Sequence, residues 1–139
     1  MKVYFIDTNI PIYASGKKHK YKEPCQKIIF AIASNKFIAF ANTEVFQEII
    51  YRYFSIKELS LGHRIFENFY SLISPNILSV NPDDVLLAQT LSRKYNSIKP
   101  RDLLHAATMI NNDIKDILSA DKEFDKISEI NRTDPLSQF

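Results

Sequence analysis

Short apolar runs alternate with longer stretches of helical period along this chain, and that alternation restricts the fold more than any other feature. Val3-Tyr4-Phe5-Ile6, Phe37-Ile38-Ala39-Phe40, Ile77-Leu78-Ser79-Val80 and Ile117-Leu118-Ser119-Ala120 read as short buried strands. Helical spacing is expected over residues 22–35, 43–56, 58–73, 83–95 and 101–112. Strands separated by helices pair in parallel, and a parallel sheet is covered on both faces. The expectation is a single α/β domain over residues 1–139, a parallel central sheet in an α/β/α sandwich.

Composition narrows the chemistry. Hydrophobic residues make up 45% and charged residues 24%, a globular balance. Two glycines leave no Walker A loop and no G-x-G-x-x-G fingerprint. The lone Cys25 excludes an intrachain disulfide and a multi-cysteine zinc site, and it reads as a packed thiol. No apolar run reaches the ~20 residues that span a bilayer, and the start of the chain lacks a signal-peptide pattern. The sequence therefore predicts a cytoplasmic protein with no membrane partner. The net charge of +2 hides an asymmetry. Residues 1–36 carry seven lysines against Asp7 and Glu23, whereas residues 113–134 carry seven acids against four bases. One end can meet a polyanion while the other holds cations, although a solvated surface explains the same pattern.

The acids fall at telling positions. Asp7 follows the first strand and Asp121 the fourth. Glu48 occupies the second turn of the helix after the second strand. Asp102 occupies the first turn of the helix that leads into the fourth strand. All four are thereby placed at the carboxyl edge of a parallel sheet, where α/β proteins bind ligands. By helical angle Glu48 borders the apolar stripe, and Glu44 is expected on the solvated side. Each acid has a local explanation: a turn at Asp7, a macrodipole contact at Asp102, an N-cap at Asp121, an i,i+4 pair of Glu48 with Arg52. Together they repel, by about 4 kcal/mol per pair at ~4 Å and an effective dielectric of 20. Such a cluster needs protons or a hard divalent cation among its members.

Four segments in order resemble the motifs of the PIN-domain nucleases, particularly the toxins of VapBC toxin–antitoxin pairs. They are Phe5-Ile6-Asp7-Thr8-Asn9, the Glu44–Ile50 helix with Glu48 as its acid, Pro100-Arg101-Asp102-Leu103-Leu104-His105-Ala106-Ala107, and Ser119-Ala120-Asp121-Lys122-Glu123-Phe124. The resemblance implies an endoribonuclease dependent on Mg²⁺ or Mn²⁺, in which a metal-activated water hydrolyses RNA phosphodiesters. It implies that Asp7 and Asp102 hold the principal metal and that Asp121 and Glu48 complete the acidic site. Thr8, Asn9 and Ser119 would orient the carboxylates, and Asp125 either faces the same pocket or is a solvated acid on a short helix. It further implies an RNA substrate, an antitoxin protein partner and a homodimer.

Other features have two readings. Lys17-Lys18-His19-Lys20 with Tyr21 and Lys22 can contact RNA phosphates or form a solvated loop. His105 invites a general-base role that a metal would make unnecessary. Tyr51, Tyr53, Phe54, Phe66, Phe69 and Tyr70 divide between core and a partner surface. Three alternatives stand beside the nuclease: a PIN-like binding module without activity, a haloacid-dehalogenase-type phosphatase and a phosphorylated receiver domain. A phosphatase of that type would need Asp where Asn9 stands. A receiver would need an acidic pair after the first strand, which is absent. An inactive module has no use for mutually repelling acids. A housekeeping RNA-processing nuclease of the same family is a fourth alternative to the toxin.

Overall fold

The computed structural model describes residues 1–137. Five parallel strands form one sheet: β1 (Val3–Ile6), β2 (Ile38–Asn42), β3 (Ile77–Leu78), β4 (Asp116–Leu118) and β5 (Asn131–Thr133), in the spatial order β3-β2-β1-β4-β5. Val3 pairs with Ile38 on one side of β1, and Phe5 pairs with Ile117 on the other. Phe5, Ile6, Ile117 and Leu118 are wholly buried, as apolar strands covered on both faces must be. Six helices flank the sheet: α1 (Asn9–Ser15), α2 (Lys22–Ala33), α3 (Thr43–Ser55), α4 (Leu59–Ile73), α5 (Pro82–Lys94) and α6 (Pro100–Asn111). They pack in the pairs α1/α2, α3/α4 and α5/α6. A 3-10 helix covers Lys122–Lys126.

The expected alternation holds, with strand ends shifted by one or two residues. Two elements go beyond it. Helix α1 is short and carries Pro11 in its first turns, where a missing N–H costs little. Strand β5 reads Asn-Arg-Thr and has no apolar run, because it lies at the sheet edge.

This topology sets the position of the site. From β1 the chain builds outward through β2 and β3, then crosses back to place β4 on the opposite flank. The strand order reverses between β1 and β4, and at such a switch point the flanking connections diverge and leave a crevice at the carboxyl ends. The amide of Asp7 donates to Leu118 O at 3.1 Å, closing that end of the β1/β4 seam.

Candidate active site at the carboxyl edge of the sheet

A cleft of about 470 Å³ opens at the switch point, and Asp7, Glu48, Asp102 and Asp121 all line it. They arrive from four separate segments. Asp7 follows β1, Glu48 stands in the second turn of α3, Asp102 in the first turn of α6, and Asp121 caps the 3-10 helix by accepting the Glu123 amide at 3.0 Å. Pro100 starts α6, its fixed φ suited to a first helical position. Thr8 and Asn9 also line the cleft.

Asp7 is buried, and its carboxylate accepts from the Thr8 amide at 2.8 Å, Asn9 Nδ2 at 3.0 Å and Ser119 Oγ at 2.5 Å. Ser119 Oγ accepts in turn from the Asp121 amide at 3.0 Å. The residues expected to orient carboxylates therefore do touch them: Asn9 and Ser119 through side chains, Thr8 through its amide. Burial is the largest influence on Asp7 and raises its pKa despite these bonds. Asp102 has no such support among the described residues. Burial first, and the Asp7 charge next, push it up to about 7.

Glu48 is held differently. His105, wholly buried on α6, contacts Glu48 Oε1 through Nε2 at 2.7 Å, and its Nδ1 lies 3.1 Å from Asn42 Nδ2. Asn42 is the last residue of β2 and the N-cap of α3; its Oδ1 accepts from the Val45 amide at 3.0 Å. That bond fixes the amide flip, so Asn42 Nδ2 donates to both His105 Nδ1 and Thr108 Oγ1. With Nδ1 accepting, the ring proton sits on Nε2 and points at Glu48. Glu48 pulls the His105 pKa upward against burial, while Asn42 Nδ2 offers no acceptor for a second ring proton. For Glu48 burial acts upward, and the bond from His105, with help from Thr8 and Arg101, outweighs it and holds the carboxyl below its ordinary range.

Several expectations change here. Glu48 pairs with His105, not Arg52. His105 has no exposed surface and both ring nitrogens are engaged, so it is no general base for a substrate in the cleft. Glu44 is half-buried, and its carboxyl is raised by burial and by Glu48. Four residues advance a helix to within about 40° of the same side, so Glu44 cannot lie opposite Glu48. Asp125 lies outside the cleft lining, where Arg132 grips it through Nε and Nη2 at 2.9 and 3.0 Å. Cys25 is buried, and burial pushes its thiol up to about 12, which fits a packing role. Tyr53 and Phe69 belong to the core, whereas Tyr51, Phe54 and Tyr70 are exposed.

The donor set suits a hard cation. Every candidate ligand is a carboxylate oxygen, and the buried Thr8 Oγ1 makes no hydrogen bond, although it lies near enough to Glu48 to lower that carboxyl. Among the described residues no three His, Cys, Asp or Glu side chains are grouped closely enough to hold a metal ion as they stand. An open acidic cleft matches an ion that keeps several of its waters. Cations rim the acids: Arg52 from α3, and Lys99 and Arg101 from the start of α6. These three and Asn42 lie beyond the site residues expected from the sequence. Arg52 and Asn42 reach the site only through the fold, whereas Lys99 and Arg101 flank Asp102 in the sequence itself.

Comparison with known proteins gives a consistent result. The family profile described as PIN domain matches residues 4–130. Ribonuclease VapC13 of Mycobacterium tuberculosis is 31% identical over 127 residues, covering 91% of this chain and 96% of its own length. Ribonuclease VapC7 of the same organism is 26% identical over 90% of this chain and 86% of its own length. Among solved structures, a chain of VapBC2 from Rickettsia felis, bound to a DNA fragment from its promoter, superposes with a TM-score of 0.74 at 19% identity, covering 95% of this chain and 98% of its own. VapC20 of Mycobacterium tuberculosis, described as a Sarcin-Ricin loop cleaving toxin, gives 0.73 at 12% identity over 93% of this chain and 97% of its own. These last two likenesses establish a shared fold.

Proposed function

Because the chain belongs to the PIN-domain family, with a ribonuclease 31% identical across nearly its whole length, we propose that it is a metal-dependent endoribonuclease, the toxin of a VapBC-type pair. The observation that carries this reading is the convergence of Asp7, Glu48, Asp102 and Asp121 on one cleft at the switch point. Asp7 and Asp102 would hold a Mg²⁺ or Mn²⁺ ion, with Asp121 and Glu48 completing the acidic set. Such an ion supplies a nucleophile from water and offsets charge on the phosphodiester.

The rest is done by the chain itself. Asn9 and Ser119 hold Asp7 in one orientation, and the Ser119 hydroxyl also fixes the Asp121 backbone. Asn42 and His105 hold Glu48 ionised. Arg52, Lys99 and Arg101 stand where RNA phosphates on either side of the cut would pass, and their charge attracts the polyanion to an otherwise acidic cleft. An antitoxin chain is the protein partner of this reading, and a homodimer its assembly. Exposed Tyr51, Phe54 and Tyr70 supply uncovered apolar surface for such contacts. The cytoplasm is where such an enzyme would meet RNA. No helix among the described residues is long and apolar enough to cross a membrane.

Cleavage of a labelled single-stranded RNA, with Mg²⁺ or Mn²⁺ and with EDTA, tests the reading beside Asp7→Asn. Cleavage should require both the metal and Asp7. Metal-independent cleavage, or an Asp7→Asn protein as active as the parent, overturns the assignment.

A further inference from the structure

Tyr13 lines the acidic cleft and belongs to a cluster of three rings on α1 and the loop joining it to α2. Its ring centroid lies 5.3 Å from His19 and 5.6 Å from Tyr21, and those two are 5.7 Å apart. The interplanar angles are 27°, 11° and 27°, so the rings present near-parallel faces. Tyr21 is buried, Tyr13 half-buried and His19 exposed, so the cluster runs from the core to solvent beside the cleft. Lys17, Lys18 and Lys20 are exposed around it, and none pairs with a carboxylate among the described residues. Lys20 Nζ lies 5.3 Å from the Tyr21 ring centroid.

The loop is tied down. The Tyr21 amide donates to His19 Nδ1 at 3.2 Å, and Tyr21 Oη donates to Asp134 Oδ2 at 3.3 Å. Arg132 Nη1 donates to both Asp134 Oδ2 and Ser119 O at 3.0 Å, and Ser119 Oγ donates to Asp7. A bonded path thus runs from the ring cluster to the floor of the cleft. A loop that merely kept lysines in water would need no such anchorage.

We propose that this loop is a platform for single-stranded RNA, on which a base flanking the cleaved phosphodiester stacks against Tyr13 and His19 while Lys17, Lys18 and Lys20 hold neighbouring phosphates. The proposal rests on the ribonuclease reading and adds where the strand leaves the cleft. Near-parallel aromatic faces accept any base, and unpaired lysines accept its backbone; this pairing is how single strands are bound without reading their sequence.

The test is fluorescence anisotropy of a labelled single-stranded RNA with the full chain in EDTA, over a range of salt. Tyr13→Ala should weaken binding about tenfold, the order expected for one lost stacked base, while Tyr13→Phe stays within about twofold. His19→Ala removes both the exposed ring and the acceptor of the Tyr21 amide, so it is read beside His19→Asn, whose side-chain oxygen can still accept that amide but offers no ring; both should weaken binding. Replacing Lys17, Lys18 and Lys20 together by Ala should flatten the slope of log K against log salt by about 2, at ~0.7 per phosphate contact. Parent-like affinity and salt slope in the His19 and triple-lysine proteins would overturn the platform. Failure of the parent to cleave with metal would instead strike the ribonuclease reading, and the binding curves would still decide the platform.

Discussion

His105 Nε2 donates to Glu48 Oε1 across 2.7 Å, joining α6 to α3 beneath the cleft. The bond depends on Asn42, which caps α3 with its oxygen and sets the His105 tautomer with its nitrogen. One amide therefore starts a helix and aims a carboxylate. His105→Leu removes the donor to Glu48 and leaves Asn42 Nδ2 with Thr108 alone. A loss of about 1–3 kcal/mol in stability is expected, as for other unsatisfied buried polar groups. RNA cleavage should fall at least tenfold. His105→Gln, which can place an amide N–H toward Glu48, should recover part of both. Urea unfolding and kcat/KM on the three proteins check this; a Leu variant matching the parent in both would show that the pair carries nothing.

Asp102 gives the metal-free protein a pH dependence. Its folded pKa, pushed up to about 7, exceeds the ordinary 3.8, so between these values the folded state binds more protons than the unfolded one. Its contribution to stability is full below the lower value and is lost as pH rises through about 7. In EDTA the melting temperature should fall between pH 5 and pH 8, and Mn²⁺ should restore more of it at pH 8 than at pH 5. Asp102→Asn should flatten the EDTA profile. Asp7→Asn should not do so cleanly, because its new N–H₂ would face Asn9 Nδ2, itself a donor. Calorimetry across pH decides; a rise in melting temperature from pH 5 to 8 in EDTA would contradict the assignment.

Arg132 binds Asp125 through two nitrogens, Asp134 through a third contact and the Ser119 carbonyl as well. Its side chain is only 9% exposed. Lysine cannot reproduce a planar fork. Arg132→Lys should cost about 1–3 kcal/mol, in line with charge-assisted bonds lost from a shielded site. It should also loosen Tyr21, and a lower melting temperature with faster amide exchange at residues 19–22 would register both effects.

Gly62 sits where α4 crosses α3. A methyl group there would lie 2.5 Å from Tyr53 Cβ, closer than two carbons can approach. Gly62→Ala should therefore destabilise the chain by about 1–3 kcal/mol through overpacking, despite alanine's better helix propensity. Denaturant unfolding reads the balance, and a gain in stability would mean the two helices can part freely.

Much of this was legible in the residues. The runs at Val3–Ile6 and Ile117–Leu118 are apolar because both faces of a central parallel strand are covered, and the acids that follow them inherit their place from that sheet. Strand β5 was hidden because an edge strand of Asn-Arg-Thr has no apolar signature. The partner of Glu48 was hidden for another reason. Local spacing offers Arg52 four residues on, whereas the actual donor lies 57 residues away on another helix. The choice between them is made by burial, which strands a histidine beside a carboxylate and leaves an arginine free to reach solvent. Asp125 shows the converse: its spacing from Asp121 suggested a shared pocket, and an arginine from β5 took it elsewhere.

The reversal of strand order at β1 has a consequence for when the site is complete. Asp7 is made first and waits just past β1, but its neighbours in the cleft come from α3, from α6 and from Asp121, three residues past Leu118. Strand β4 must cross from beyond β3 to the far side of β1 before Ser119 can reach Asp7. A chain folded only as far as β3 holds half of the acids and none of the floor. The four acids and the Ser119 bond to Asp7 therefore come together only in the finished topology, and a chain folded only as far as β3 has no complete site.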